Sequence, residues 1–440
     1  MRITLTVTEG PHKGQAFVFD AHDTFLVGRS KRAHFRLPSK DRYFSRIHFL
    51  IEVNPPHCRL MDMSSSNGTY VNGRRVERGD LRDGDLIKAG HTVLQVAVTS
   101  GVGRSGENPA LPPPAALPAK PAQRPPIPPA PTPTECPTCG AVLPPTPTGE
   151  VRLCAACQEL GRARRQTIAG YHLVRELGRG AMGLVYLAVR RCDNRPVALK
   201  TVIPVAGGTD QQVQRFLREA NVLRELEHPH IVSFRDMGES GGVLFFAMDY
   251  VPGQDAHKLV KKQGPFAVGR AATLICQLLD ALAFAHGRGF VHRDVKPSNL
   301  LITEGDGGER LMVADFGLAK VYQASNLSGL TMTGDVGGTV PFMAPEQITE
   351  YRSARPPVDQ YSAAASLYNL LTGAYVYDFP PAFQNQLLTI LHEDPVPIRK
   401  RRPDLPEALA AVIHRGLARE PAERFSGAAA MREALRKFMG

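Results

Sequence analysis

His292-Arg293-Asp294-Val295-Lys296-Pro297-Ser298-Asn299 and, further on, Asp315-Phe316-Gly317 are the two stretches that decide the reading of this 440-residue chain. Upstream of them, Leu177-Gly178-Arg179-Gly180-Ala181-Met182-Gly183-Leu184-Val185 has the spacing G-x-G-x-x-G-x-V. Missing side chains there let backbone N–H groups come close to phosphates. Alone, such a triplet is equally an ordinary hairpin turn, and one that opens a helix would be a dinucleotide fingerprint. Here β-type residues follow (LVYLAV), which argues against the dinucleotide turn. Val197-Ala198-Leu199-Lys200 then ends an apolar strand on a lysine that either meets phosphates and a carboxylate or stays solvated. The candidate carboxylate is Glu219, on a helical stretch with apolar Val213, Phe216, Leu217, Ala220, Leu223 and Leu226; Glu225 and Glu227 are rivals.

In order and spacing, these motifs resemble the bacterial Hanks-type (eukaryotic-like) serine/threonine protein kinases over residues 171–440. The resemblance implies an α+β bilobal fold and transfer of the ATP γ-phosphate to Ser/Thr hydroxyls of proteins, the chain itself included. It implies that Asp294 orients the substrate hydroxyl, that Lys296 stabilises the transferring phosphoryl group, and that Asn299 and Asp315 hold Mg²⁺ (or Mn²⁺). Such roles suit phosphoryl transfer, which is mainly alignment and charge neutralisation. Lys200 paired with Glu219 would position the ATP. Leu177, Gly178, Gly180 and Gly183 would cover its phosphates, Val185 and Ala198 would sandwich the adenine, and Met248-Asp249-Tyr250-Val251 would serve as the hinge through Asp249 and Val251. Lys296 and Thr339 before Pro341-Phe342-Met343-Ala344-Pro345-Glu346 resemble the serine/threonine branch. Phe342 stands where the family usually has Tyr, and Ser362-Ala363 departs from the family pattern after Asp359-Gln360-Tyr361. Glu346 and Arg424 match a buried salt bridge of the family. Arg293 beside Asp294 marks kinases whose cationic pocket is neutralised by activation-loop phosphorylation, and Thr331 and Thr333 are the candidate autophosphorylation sites.

Outward from the kinase motifs, the composition calls for two or three units, and the chain divides into three. Residues 1–98 alternate short β-branched runs (ITLTV, AFVFD, HFLIEV, TVLQVAV) with Gly/Asn/Asp turns, the pattern of an all-β sandwich. Residues 99–135 are dominated by Pro and Ala and read as a flexible linker that, fully extended at ~3.1 Å per residue, would reach about 100 Å. Residues 136–160 hold two C-x-x-C pairs. The net charge of +11 places about +5 on the first hundred residues, which suits anionic ligands such as phosphate. No apolar run is expected to cross a bilayer and no leader stands at Met1, so a soluble cytoplasmic protein without disulfides is expected.

On predicted loops of the sandwich lie Val27-Gly28-Arg29, Ser45-Arg46-Ile47-His48 and Ser66-Asn67-Gly68-Thr69-Tyr70-Val71-Asn72-Gly73. An arginine fork, hydroxyls and an asparagine amide converging from loops suit a phosphate on a peptide. The three segments resemble the forkhead-associated (FHA) domain. The resemblance implies that Arg29 and Ser45 bind phosphothreonine, that Arg46 and Ser66 assist, and that Asn67 grips the peptide backbone, while Gly28, His48 and Gly68 are architectural. The ligand would be another phosphothreonine protein or the chain's own activation loop.

Cys136-x-x-Cys139 and Cys154-x-x-Cys157 have the spacing of a small zinc-ribbon-like module with structural Zn²⁺, a redox dithiol being the alternative. Two other readings are a pseudokinase scaffold and a nucleic-acid-binding basic module. The presence of Lys200, Asp294, Asn299 and Asp315 argues against the first, and the scarcity of aromatics against the second. The expected partners are therefore protein substrates and phosphothreonine proteins, with a transient homodimer as a further option and no nucleic acid or membrane span.

Overall fold

The computed structural model describes residues 2–37, 44–55, 57–99, 136, 154–155, 167–180, 183–202, 221–305, 308–316, 340–349 and 355–440. The N-terminal unit consists of strands β1 (Arg2–Glu9), β2 (Ala16–Phe19), β3 (Asp23–Gly28), β4 (Phe35–Arg36), β5 (Phe49–Asn54), β6 (His57–Asp62), β7 (Thr69–Val71), β8 (Arg74–Val76), β9 (Arg78–Asp80), β10 (Leu86–Ala89) and β11 (Thr92–Thr99). They form two sheets, β2-β1-β11-β10-β7-β8 and β4-β3-β5-β6-β9. Between the sheets, alternate residues such as Ile3, Leu5, Phe25, Val27, Phe49, Ile51, Leu60 and Val96 make one core. This is the period-2 burial expected of a sandwich, and the four runs picked out by sequence lie on β1, β2, β5 and β11.

A second six-stranded sheet, ordered β12-β13-β14-β15-β17-β16, forms the small lobe of the C-terminal unit. Its strands are β12 (Thr167–Ile168), β13 (Tyr171–Gly180), β14 (Gly183–Arg190), β15 (Pro196–Val202), β16 (Phe234–Ser240) and β17 (Val243–Asp249). The sheet begins at Thr167, four residues before the sequence-based start at Tyr171. The large lobe holds a three-stranded sheet, β18 (Gln254–Asp255), β19 (Leu300–Gly305) and β20 (Gly308–Val313). Its helices are α1 (Ala256–Gln263), α2 (Val268–His286), α3 (Pro345–Thr349), α4 (Pro357–Thr372), α5 (Phe383–His392), α6 (Ile398–Arg401), α7 (Glu407–Gly416) and α8 (Ala428–Leu435). Asp255 caps α1 by accepting from the Lys258 N–H, and Gly373 ends α4 at φ 69°, a left-handed conformation that disfavours a Cβ.

By length and composition alone, α2 could cross a membrane. It is instead the central helix of the large lobe, with Leu274, Ile275, Leu278, Leu279 and Leu282 buried in the core. α4 packs beside it and is buried along nearly its whole length.

The buried ion pair expected from the sequence is present: Arg424 reaches both oxygens of Glu346 at 2.5 and 2.8 Å. Its guanidinium also donates to the carbonyls of Ala418 (2.8 Å), Pro357 (2.9 Å) and Arg419 (3.2 Å). Removing one partner strands the other charge in the core, at a cost of about 3–5 kcal/mol. Arg424→Ala should therefore lower the melting temperature of the C-terminal domain by roughly 6–15 °C, measurable by calorimetry.

Candidate active site and phosphate-reading loops

Asp359, at the N-terminal end of α4, anchors the central loop. Its carboxylate accepts from the backbone N–H groups of His292 and Arg293, both at 2.8 Å, and from Nε2 of His286 at 2.8 Å. Three donors on one fully buried carboxylate hold the chain where Arg293 adopts φ 67°, a conformation that otherwise costs energy. Gln347 on α3 adds a bond from its side-chain amide to the Arg293 carbonyl at 2.8 Å. His292, fully buried, reaches the Ala314 carbonyl at 3.0 Å and stacks edge-on against Phe316 at 4.7 Å. The two stretches that open the sequence reading thus touch.

Within that loop, Asp294 Oδ2 receives Lys296 Nζ at 2.9 Å and Asn299 Nδ2 at 3.1 Å. Asn299 also donates to the Asp294 carbonyl at 2.8 Å. The other oxygen, Asp294 Oδ1, is buried and has no hydrogen-bond donor among the described residues. Across the cleft, Lys200 Nζ pairs with Asp315 Oδ2 at 2.8 Å. Burial pushes the Asp315 carboxyl upward, but Lys200, with smaller help from His292 and Lys296, outweighs it and holds the group below its ordinary value. Asp315 is therefore an ionised oxygen ligand at neutral pH, and the nearly buried Asn299 is tied to its neighbour Ala314, whose N–H donates to the Asn299 carbonyl at 2.9 Å. Such an oxygen set suits a hard divalent cation.

The structure brings Lys200, Asp294, Lys296, Asn299 and Asp315 into one cleft. Glu219, Gly317, Thr331 and Thr333 lie outside the described residues. The glycine triplet is a hairpin: Gly180 pairs with Gly183 across the β13–β14 turn, and Gly183 has φ 137°. Val185 faces Lys200 in the β14–β15 register, and Ala198 pairs with Met248 on β17. Asp249 already commits its N–H to the Ser233 carbonyl (3.0 Å) and its carboxylate to Arg235. The two departures from the family pattern meet, since Ser362 Oγ donates to the Phe342 carbonyl at 2.8 Å.

At the rim of the sandwich, the β3–β4, β4–β5 and β6–β7 loops are tied together. The Arg29 N–H donates to the Ser45 carbonyl (3.2 Å), the Ser30 N–H to the Arg46 carbonyl (2.8 Å), and the Ser66 N–H to Ser45 Oγ (3.1 Å). Buried His48 accepts from the Ser45 N–H at 3.2 Å and bonds the Gly68 carbonyl at 3.3 Å, bridging two loops. A Cβ on Gly28 would meet the Arg46 carbonyl at 2.3 Å, so only glycine fits there. Arg29, Ser45, Arg46, Ser66 and Asn67 thus share one rim, with Arg46, Ser66 and Asn67 exposed.

Of the four cysteines, Cys139 and Cys157 lie outside the described residues. Cys136 is buried against Val174, Leu187 and Val189, and its sulfur accepts from the Cys154 N–H at 3.4 Å. Among the described residues, no cluster of three metal-ligating side chains occurs.

Residues 171–437 match the protein kinase domain family, and the chain belongs to it. Residues 25–90 match the FHA domain. Among curated relatives, the chain is 36% identical over 282 residues to serine/threonine-protein kinase pkn3 of Myxococcus xanthus, covering 61% of this chain and 50% of that protein. It is 39% identical over 271 residues to PknF of Mycobacterium tuberculosis, covering 60% and 55%. Against PknD of the same organism it is 38% identical over 262 residues, covering 59% and 38%. The chain thus spans about half or less of the length of these relatives. A crystal structure of Rad53 1-466 in complex with AMP-PNP matches 99% of both chains at 21% identity and a TM-score of 0.50, a likeness of fold. The PknI kinase domain of Mycobacterium tuberculosis is 33% identical, covers 62% of this chain and 97% of its own, and has a TM-score of 0.49.

Proposed function

We propose that this chain is an ATP-dependent serine/threonine protein kinase that phosphorylates proteins, itself included, and reads phosphothreonine through its FHA domain. The observation that carries the reading is Asp294, whose one oxygen is fixed by Lys296 and Asn299 while the other is buried with no donor among the described residues. That second oxygen is an acceptor for a Ser or Thr hydroxyl. Lys296 sits beside it as the cation for the moving phosphoryl group, and Lys200 is the cation for the ATP phosphates. Asn299 and Asp315 would hold Mg²⁺, which when bound offsets phosphate charge. Val185, Ala198, Asp249 and Val251 line the adenine side in this reading, under the hairpin of Leu177, Gly178, Gly180 and Gly183. Glu219 as the partner of Lys200, and Thr331 and Thr333 as self-modified residues, complete it.

Incorporation of phosphate from labelled ATP with Mg²⁺, mapped by mass spectrometry, tests both the activity and the sites. Label on Thr331 or Thr333 supports the reading; no label on the chain or on a generic acceptor protein overturns it in favour of a scaffold.

For the sandwich, the shared rim supports Arg29 and Ser45 as the phosphate contacts, with Arg46, Ser66 and Asn67 alongside. A charge-assisted, forked arginine contact contributes about 1.5–3 kcal/mol. Arg29→Ala should weaken binding of a phosphothreonine peptide by roughly 10- to 150-fold in calorimetry; unchanged affinity refutes the assignment. The domain limits in this reading are 1–98, 99–135, 136–160 and 171–440, and the location is cytoplasmic. Cys136, Cys139, Cys154 and Cys157 would hold structural Zn²⁺. The Cys154 N–H on Cys136 Sγ supports that, because such bonds stabilise thiolates. One zinc per chain by elemental analysis is the expected result.

A further inference from the structure

The sheet β4-β3-β5-β6-β9 has two apolar faces where one would suffice. Along β3, Phe25 and Val27 point into the sandwich core, while Leu26 points the other way. Along β5, Phe49, Ile51 and Val53 point inward and Leu50 outward, and on β6 Leu60 points inward and Met61 outward. An antiparallel sheet in a sandwich commonly leaves its outer face polar and wet. Here the outward residues are as dry as the core: Leu26 0%, Leu50 1%, Met61 2% and Ile47 2% exposed. They join the contiguous buried cluster of the kinase large lobe, which includes Ile348 of α3 and Leu391 of α5.

Polar contacts frame this apolar patch. Thr24 Oγ1, itself buried, donates to the Ile348 carbonyl at 3.1 Å. Ser64 Oγ, in the β6–β7 loop, donates to Asn385 Oδ1 of α5 at 2.7 Å. Arg32, in the β3–β4 loop, donates to the Leu391 carbonyl at the end of α5 and meets Glu420 at 3.3 Å. At one edge a cavity of about 660 Å³ opens between the Lys31–His34 turn and Pro345, Glu346 and Arg355. His392, closing α5, feels both Arg46 and Arg32 of the sandwich as well as Arg419; burial first, then these cations, holds its pKa down.

We propose that the outward face of this sheet is a docking surface whose partner is the large lobe of the same chain, clamping α3 and α5 and holding the phosphate-reading loops beside α5. Complementarity carries the choice of partner: Leu26, Leu50 and Met61 share one buried apolar cluster with Ile348 and Leu391, and two hydroxyls and a guanidinium find carbonyl or amide oxygens at its border. The docking stands whether or not the loops bind phosphothreonine. Its reach is regulatory, because α3 follows directly on the segment that holds Thr331 and Thr333. Seating or release of the sandwich therefore bears on that segment's anchor.

The full chain carrying Ser64→Cys and Asn385→Cys, mildly oxidised, should form a 64–385 disulfide within one chain, absent from either single variant. Leu50→Asp added to that pair should abolish the link, and alone it should raise the radius of gyration in solution X-ray scattering and speed amide exchange over residues 345–349. Because Leu50→Asp could also unfold the sandwich, Arg32→Glu is the second variant: placed in a loop, it should reduce the disulfide yield with the melting of the sandwich unchanged. A 64–385 link found only between chains overturns the proposal and assigns the surface to a second copy. An unsubstituted chain already extended, with scattering unmoved by Leu50→Asp, overturns docking altogether.

Discussion

Asp294→Asn is expected to lower phosphate transfer by roughly three orders of magnitude while leaving the fold and nucleotide binding in place. The Asp294 carboxylate uses its two oxygens differently. Oδ2 satisfies Lys296 and Asn299, and Oδ1 has no donor among the described residues. An amide has one acceptor, and the two neighbouring donors claim it. Its NH₂ group then stands where a substrate hydroxyl needs an acceptor. The loss should fall on kcat, with the KM for ATP changed by no more than about twofold, because an interaction made only in the transition state is removed. Steady-state kinetics on a generic acceptor protein would show it; a variant retaining a tenth of the activity would mean that Asp294 is not the proton acceptor.

Asp359→Asn is expected to cost at least about a hundredfold in kcat although the residue does not face the cleft. The Asp359 carboxylate satisfies three donors, the N–H groups of His292 and Arg293 and the His286 ring. An amide in its place must turn its NH₂ toward at least one of them, leaving a buried N–H without a partner, at a cost of about 1–3 kcal/mol. The part of the loop that yields first is Arg293, held at φ 67° by those bonds. Asp294 is the next residue, so its carboxylate drifts from the phosphoryl path. A purely structural role would lower the melting temperature and leave the kcat of the folded fraction intact. The positioning role predicts that kcat per folded molecule falls, with ATP affinity retained.

How far this was readable in advance depended on whether a residue acts through its type or through its neighbours. Asp294, Lys296, Asn299 and Asp315 carry their chemistry in the side chain and stand in compact motifs, so their grouping was foreseeable. Asp359 stood in a quoted segment, yet nothing about Asp-Gln-Tyr reveals that its carboxylate will meet a loop 66 residues back. The one available signal was an acidic residue opening a helix that is otherwise almost entirely apolar or small. α2 is legible from its sequence only as apolar, because burial inside a large lobe and burial in lipid ask for the same composition. In the N-terminal unit, the alternation of β1 and β11 was plain, whereas the run Phe49-Leu50-Ile51 on β5 already hinted at two covered faces. Periodicity shows that a face is apolar, but the identity of its partner is a property of the folded chain.

Cys136 rests on Val174, Leu187 and Val189 of the strands that carry the glycine hairpin, with Cys154, Leu177 and Tyr250 at its edge, and Leu187, paired with Ala198, shares the sheet face of Val185 and Lys200. Anyone trimming this protein to its catalytic part meets that patch at once. A fragment begun at Tyr171 would strip away β12 and Cys136, and would expose to water apolar side chains on the same sheet face as Val185 and Lys200. Such a fragment should tend to self-associate through that uncovered patch, whereas one begun ahead of Cys136 keeps it covered. For recombinant work, the shortest well-behaved kinase from this chain is therefore longer than its catalytic motifs suggest.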